Sequence, residues 1–141
     1  MKHLTMIEAI DKIKSGYHNK CLSIIEKFDI SYIDFALIMF FANNKDKTTA
    51  KEFCERRDFK ANVVSLHVDK LAKEGYLERE CHSTDRRKIN LSLTNKCDKI
   101  IKEGHKMQNE FFSKIVNGLS KEELDAFRKS MITILDNVNE L

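Results

Sequence analysis

Gly75-Tyr-Leu-Glu-Arg-Glu-Cys-His-Ser-Thr-Asp-Arg-Arg-Lys-Ile-Asn-Leu-Ser-Leu-Thr94 contains two segments with the pattern of short β-strands, at 76–80 and 88–93. In the second segment every other residue is apolar: Ile89, Leu91 and Leu93. This alternation is typical of a strand with one buried face. A polar tip separates the segments, so the stretch predicts a β-hairpin with an exposed tip.

Three successive cations end the tip: Arg86, Arg87 and Lys88. A guanidinium at a hairpin tip can lie between phosphates or enter a narrow minor groove, where the negative potential is strongest. Because a carboxylate near phosphate is repelled, we expect Asp85 to pair with an arginine and support the tip. We therefore predict a DNA-binding wing; the alternative is a solvated surface cluster, the usual role of a charge run.

The residues before the hairpin have the pattern of a helix-turn-helix. Thr49-Ala-Lys-Glu52 is a capping-box pattern that opens a short helix, and a second helix is predicted from Ala61 to Glu74, with Gly75 as its C-terminal cap. Its core side is best matched by residues at i, i+4 and i+7: Val64, Val68 and Leu71. Together with the hairpin, this arrangement predicts a winged helix-turn-helix.

Candidate DNA contacts lie off that core side and at the start of the preceding helix: Lys60, Asn62, Ser65, Leu66, Lys70 and Thr49. Asn62 and Ser65 can reach base edges, and Leu66 can pack on a thymine methyl. Lys60 and Lys70 are expected to contact the backbone. Thr49 is expected to be a cap residue first and a phosphate donor second.

Positive charge is concentrated in the middle of the chain. Residues 47–96 carry 12 Lys+Arg against 8 Asp+Glu, a net charge of +4, whereas residues 1–46 carry 0 and residues 97–141 carry −1. This distribution is typical of a nucleic-acid reader between neutral helices.

Long apolar stripes mark the first and last helices. These stripes are too long for one small winged helix to cover, and pairing with the same helices of a second copy is the commonest solution. We therefore expect a homodimer built from one domain, 1–141, that is mainly α. The winged helix-turn-helix would occupy about 31–94, and the dimerisation helices about 5–28 and 95–141.

Composition limits the class of protein. Apolar residues make up 42% and charged residues 33%, and there is no apolar run of the roughly 18 residues that a membrane span requires. The N-terminus lacks the apolar core of a signal peptide, so a cytoplasmic location is expected. Neither a C-x-x-C pair nor a catalytic motif is visible; we expect no metal site, no cofactor and no enzymatic activity.

Leu71-Ala-Lys-Glu-Gly75-Tyr-Leu-Glu-Arg79, then Asp85-Arg86-Arg87, then Leu91-Ser-Leu93-Thr94 resemble the signature of MarR-type transcriptional regulators. The resemblance implies a dimeric repressor or activator that binds a palindromic operator, with its second helix-turn-helix helix in the major groove and its wing in the minor groove. It also implies release of DNA by a small phenolic, drug-like or oxidant signal. Leu66 and His67 differ from the common family pattern, as do Arg57 and Cys97.

Two alternatives stay open from the sequence. A winged helix can serve as a protein-interaction module without specific DNA binding. Within the same family, Cys21 is a candidate redox sensor, because it shares the first helix with Tyr17 and can approach Tyr32. A reactive thiol needs a low pKa and access to solvent; core packing is the competing interpretation for Cys21.

Overall fold

The computed structural model describes residues 5–81 and 89–141. Four candidate residues of the predicted wing tip lie outside the described residues: Asp85, Arg86, Arg87 and Lys88. The described elements are α1 (Met6–Phe28), α2 (Tyr32–Asn43), α3 (Ala50–Arg56), α4 (Ala61–Lys73), β1 (Leu77–Cys81), β2 (Ile89–Leu93), a 3-10 turn (Asn95–Cys97), α5 (Asp98–Ile115) and α6 (Lys121–Asn139). None of the helices in these ranges has the length and apolarity needed to cross a membrane.

The chain divides into two compact units, Met1–Met107 and Gln108–Leu141, and α5 contributes to both. The first unit contains α1 to α4, the hairpin and the first part of α5. The second contains the end of α5 and all of α6. The mainly helical chain with one two-stranded hairpin confirms the predicted fold class.

Capping boxes start three of the helices, at sites where a Ser or Thr precedes an acidic residue by three positions. The hydroxyls of Thr5, Ser31 and Ser120 each accept a hydrogen bond from the backbone three residues later, and the acidic side chain there binds the cap's own N–H. At Thr49 the prediction of a complete box is wrong. Thr49 accepts from the Glu52 N–H, but the Glu52 carboxylate accepts from the Thr48 N–H at 3.3 Å instead of the Thr49 N–H.

The core of the first unit is centred on α2, in which eight consecutive residues, Asp34–Phe41, are buried. A helix that is apolar on nearly every side is expected at the centre of a domain, and α2 has that position. The predicted core side of α4 is also buried: Val64, Val68 and Leu71. Phe53 of α3 joins the two parts of the core, because its ring stacks on Phe59 and meets Phe40 edge-on.

Gly75 ends α4 and turns the chain into the hairpin. Its φ of +83° is accessible to glycine without the steric strain of a side chain. The Gly75 N–H donates to Ala72 O at 3.2 Å and the Tyr76 N–H donates to Leu71 O at 2.9 Å, the paired bonds of a Schellman motif. The cap predicted at Gly75 is confirmed, and it brings β1 directly off the end of α4.

The hairpin is held at its base and along one strand. Leu77 pairs with Leu93 and Cys81 with Ile89, and the Leu91 N–H donates to Thr48 O at 2.7 Å. Leu91 is 4% exposed, but Ile89 is 42% exposed, so the prediction of a continuous buried face is wrong at Ile89. Ile89 lies at the end of the strand farthest from the base, where the core no longer covers it.

The sequence favours Thr94 as the cap of the helix that follows, but its side chain makes no cap hydrogen bond there. Its hydroxyl donates to Gly75 O at 2.6 Å, and its N–H donates to Tyr76 O at 3.1 Å. These bonds close the base of the hairpin, and a 3-10 turn follows before α5 begins.

Candidate nucleic-acid interface

One face of α4 is free of core contacts and carries the candidate base-reading side chains. Asn62, Ser65 and Leu66 are all exposed, opposite the buried Val64 and Val68. Leu66 is 69% exposed, which leaves an apolar side chain on an otherwise polar surface. The Asn62 amide can pair with an adenine edge, and the Ser65 hydroxyl can pair with a donor or an acceptor on a base. The Leu66 side chain can pack on a thymine methyl.

The N-terminus of α4 differs from the starts of four other helices, where a Thr or Ser hydroxyl accepts a backbone N–H. Lys60 occupies the N-cap position of α4 without a side-chain cap hydrogen bond, and the first turn carries no acidic residue. The first N–H groups and the positive end of the helix dipole therefore adjoin a cationic residue instead of a capping oxygen. This combination favours a phosphate group.

Two contacts connect α4 and α3 to the hairpin. Arg79 of β1 forms an ion pair with Asp69 of α4. Thr48, which precedes α3, donates its hydroxyl to the Asn90 side chain of β2 at 3.0 Å. The strands that lead to the wing tip are thus joined to α4 and to the segment that leads into α3.

A third contact connects α4 to α2 through Asp34. The Asp34 side chain has no exposed surface, and its Oδ1 lies 2.7 Å from His67 Nδ1. Its Oδ2 accepts from Lys70 Nζ and from the Ser31 N–H, each at 2.9 Å. Since an ionised carboxylate can only accept, the His67 Nδ1 carries a proton in this arrangement.

The contacts of Asp34 keep it ionised. Burial raises the pKa of Asp34, but the hydrogen bonds from Lys70, Ser31 and His67 and the charge of Lys70 outweigh this effect, so the pKa lies below its usual value. In turn, the hydrogen bond to Asp34 raises the pKa of Lys70, against a smaller opposing effect of burial. Asp34 and Lys70 therefore form an ion pair at neutral pH.

Among the candidate residues in the described ranges, the structure groups four on one surface: Lys60, Asn62, Ser65 and Leu66. Lys70 is different, because its ammonium is directed to Asp34. The Thr49 hydroxyl donates to Glu52 Oε1 at 3.0 Å and accepts from the Glu52 N–H at 3.2 Å. The Thr49 hydroxyl thus uses both its donor and its acceptor in capping α3.

Cys21, the candidate redox sensor, is completely buried. Burial raises the pKa of the Cys21 thiol to about 11, against smaller lowering effects of a hydrogen bond from Tyr17 and the charge of Arg57. The thiol nonetheless lacks both properties that reactivity requires, a low pKa and access.

Sequence reasoning missed Asp34 as a partner of the recognition helix. Asp34 is the acidic residue of the Ser31 capping box, and its sequence position indicates only that role. The informative feature was a carboxylate inside the apolar run Tyr32–Ala42, since a buried charge needs a partner elsewhere in the chain. His67, in a position where an apolar residue is common, was the corresponding signal on α4.

Comparison with known proteins agrees with this geometry. A family model described as "MarR family" matches residues 28–88. The HTH-type transcriptional regulator BilQ of Clostridium symbiosum (strain WAL-14163) is 29% identical in an alignment of 96 residues that covers 64% of this chain and 64% of that protein. The chain thus spans less than two thirds of the length of this curated relative.

Solved structures share the fold over nearly the whole chain. S. aureus MepR in its DNA-binding conformation matches with a TM-score of 0.84 at 18% identity, covering 96% of this chain and 99% of that chain. A MepR–DNA complex from the same organism matches with a TM-score of 0.79 at 17% identity, covering 98% and 99%. At these identities the likeness is one of fold.

Proposed function

The chain belongs to the MarR family of winged helix-turn-helix transcriptional regulators, and from this membership we propose that it is a homodimeric repressor of a palindromic operator. Each α4 would enter a major groove, and each wing tip would enter a neighbouring minor groove. Two recognition helices about one helical turn of DNA apart match a twofold-symmetric site.

The observation that carries the DNA-reading proposal is the exposed face of α4. Asn62, Ser65 and Leu66 lie together on it, and Lys60 adds a cation at the N-terminal end of the helix. In our proposal the three side chains select bases and Lys60 anchors the phosphate backbone. Arg86, Arg87 and Lys88 would anchor the wing, with Asp85 as a support.

Exposed apolar side chains support the proposal of a homodimer. In the first unit they lie on the N-terminal half of α1: Met6, Ile7, Ile10 and Ile13. In the second unit they include Phe127, Ile132, Leu135 and Val138. Apolar surface of this extent is typical of a protein–protein interface. Sedimentation equilibrium should give twice the chain mass, and a monomer at micromolar concentration would contradict the dimer.

A small-molecule signal is a further part of the proposal. A cleft of about 380 Å³ lies between the end of α2, β2 and α5, with an apolar floor and three basic side chains at its edge: Lys45, Lys47 and His105. This lining suits a small phenolic acid. Such a compound should lower operator affinity in the wild type but not in Ile101→Trp, which fills the cleft; equal release from both would place the signal elsewhere.

Two alternatives make different predictions. A protein-interaction module would bind DNA weakly and without sequence preference. A thiol sensor at Cys21 would lose DNA on oxidation, which the buried thiol does not favour. As a regulator that acts on the genome, the protein is proposed to function in the cytoplasm.

Genome-wide mapping of bound sites, followed by anisotropy titration of the recovered operator, tests the proposed function. Asn62→Ala should lose about 1–3 kcal/mol of discrimination at a single base position, the usual value of a bidentate base contact. Asn109→Ala, an exposed helical asparagine outside α4, is the matched control. Scattered binding without a shared motif would favour the protein-interaction alternative.

A further inference from the structure

The carboxylate of Asp34 is the only fully buried charged group among the described residues, and it lies in the first turn of α2. A buried carboxylate is strongly unfavourable unless donors bind its oxygens. One donor is the Ser31 N–H of its own capping box. The other two, His67 and Lys70, come from the recognition helix.

His67 and Lys70 are three residues apart and therefore lie on the same flank of α4. Asp69, which pairs with Arg79 of the hairpin, lies on another flank. Contacts on two flanks restrict rotation of α4 about its own axis more strongly than the apolar core contacts alone. The direction of Asn62, Ser65 and Leu66 depends on that rotation.

We propose that Asp34 is a positioning residue for DNA reading, which holds α4 through His67 and Lys70 at the rotation that presents its exposed face to the bases. In this role Lys70 binds Asp34 and is not a phosphate contact. This inference rests on the proposed function, because it concerns how the same reading face is oriented.

A phosphate contact and a positioning contact differ in their response to salt. A lysine that neutralises a phosphate releases a counterion, so its removal lowers the slope of log affinity against log salt by about 1. A lysine that orients the helix leaves the number of phosphate contacts unchanged, and its removal shifts the line without changing its slope. Lys60 provides the comparison, since it has the phosphate role in our proposal.

The test is an anisotropy titration of the mapped operator across a salt series with the full-length protein. Lys70→Met should weaken affinity about tenfold, within the range of a lost base contact, and should keep the wild-type slope. Lys60→Met should lower the slope by about 1 for each protomer. Circular dichroism and thermal melts establish that each variant is folded.

His67 provides a second test that does not depend on a charge. In His67→Asn the side-chain amide can place a donor close to the original Nδ1 position, whereas His67→Leu has no donor. We expect His67→Asn to retain operator affinity within about threefold and His67→Leu to lose about tenfold, since only the second leaves an oxygen of Asp34 unpaired. Asp34→Asn combined with Lys70→Met should bind no more weakly than Asp34→Asn alone.

Three results would overturn the inference while leaving the proposed function intact. The first is a lower salt slope for Lys70→Met than for the wild type. The second is equal operator affinity for His67→Asn and His67→Leu. The third is wild-type operator affinity in Lys70→Met and His67→Leu when these variants differ from the wild type only in thermal stability. Failure of the proposed function has a different signature, because the wild type would then bind the operator without salt dependence and Lys60→Met would change nothing. That result would contradict both the proposed DNA reading and the positioning role of Asp34.

Discussion

Cys21 and Cys97 are both fully buried, and burial raises the pKa of each thiol to about 11 from an ordinary 9.0. At neutral pH the thiolate fraction of each is therefore roughly 100-fold below that of an unperturbed cysteine, since each pKa unit is a factor of ten. Cys54 is only partly buried. Reactivity toward an alkylating reagent should follow this order.

We predict that iodoacetamide modifies Cys54 faster than Cys21 and Cys97 in the native protein, and all three at similar rates in urea. Peptide mass spectrometry after timed quenching measures these rates. In parallel, Cys21→Ala should leave the response of operator binding to peroxide unchanged. Labelling of Cys21 at the rate of Cys54 would instead support the redox-sensor alternative.

The ion pair of Asp34 predicts a pH dependence of stability. Because the pKa of Asp34 is lowered in the folded state, its contribution is fully present above the ordinary value of 3.8 and is lost as the pH falls through the lowered value. Asp34→Asn lacks this titration. The free energy of unfolding should therefore decrease more steeply below about pH 4 in the wild type than in Asp34→Asn. Urea titrations at several pH values measure this, and parallel curves would mean that Asp34 is not held as a carboxylate.

At the scale of elements, the packing of α5 on α2 depends on a missing side chain. A Cβ at Gly104 would lie 2.5 Å from Met39 Sδ and 3.2 Å from Phe35 Cε2, and both neighbours are buried. Both side chains belong to the packed core, so a shift of either one disturbs other buried side chains. The two helices therefore approach closely at Gly104.

Gly104→Val should destabilise the protein by about 1–3 kcal/mol through overpacking. Lys106→Val introduces the same β-branched residue at an exposed position two residues later in α5, where only helix propensity is affected, and should lose less than about 0.7 kcal/mol. Urea denaturation followed by circular dichroism compares the two. Equal losses would show that the close approach is not limiting.

Local sequence patterns predicted the elements well because their causes are local. The caps at Thr5, Ser31 and Ser120 need only residues three apart, and the buried Val64, Val68 and Leu71 follow helical periodicity. Gly75 marks the end of α4 because the backbone there takes a positive φ, which glycine tolerates best.

Long-range contacts were not predictable in the same way. Lys70 has the sequence position of a backbone contact, yet its ammonium binds a carboxylate 36 residues away. Likewise Thr94 resembles a helix cap, but its hydroxyl binds Gly75 O across the hairpin base. In both cases a polar side chain has several plausible partners, and tertiary packing decides which one is within reach.

At the scale of the whole molecule, the proposed DNA-reading face and most of the exposed apolar side chains lie on different elements. Lys60, Asn62 and Leu66 are on or beside α4, whereas the other exposed large apolar side chains, apart from Ile89 of β2, are on α1 and in the second unit. In the proposed dimer, pairing would therefore use elements other than the recognition helix. It is the arrangement that a dimeric reader of two half-sites needs.

Titration of the mapped operator and of a shuffled duplex over a salt series is the decisive measurement for DNA reading. For the operator, log affinity should fall linearly with log salt concentration, and Arg87→Ala should lower the slope by about 1 for each protomer. The shuffled duplex should bind at least about 1000-fold more weakly than the operator. Equal affinity for both duplexes, or an affinity that salt does not change, would contradict DNA reading by this molecule.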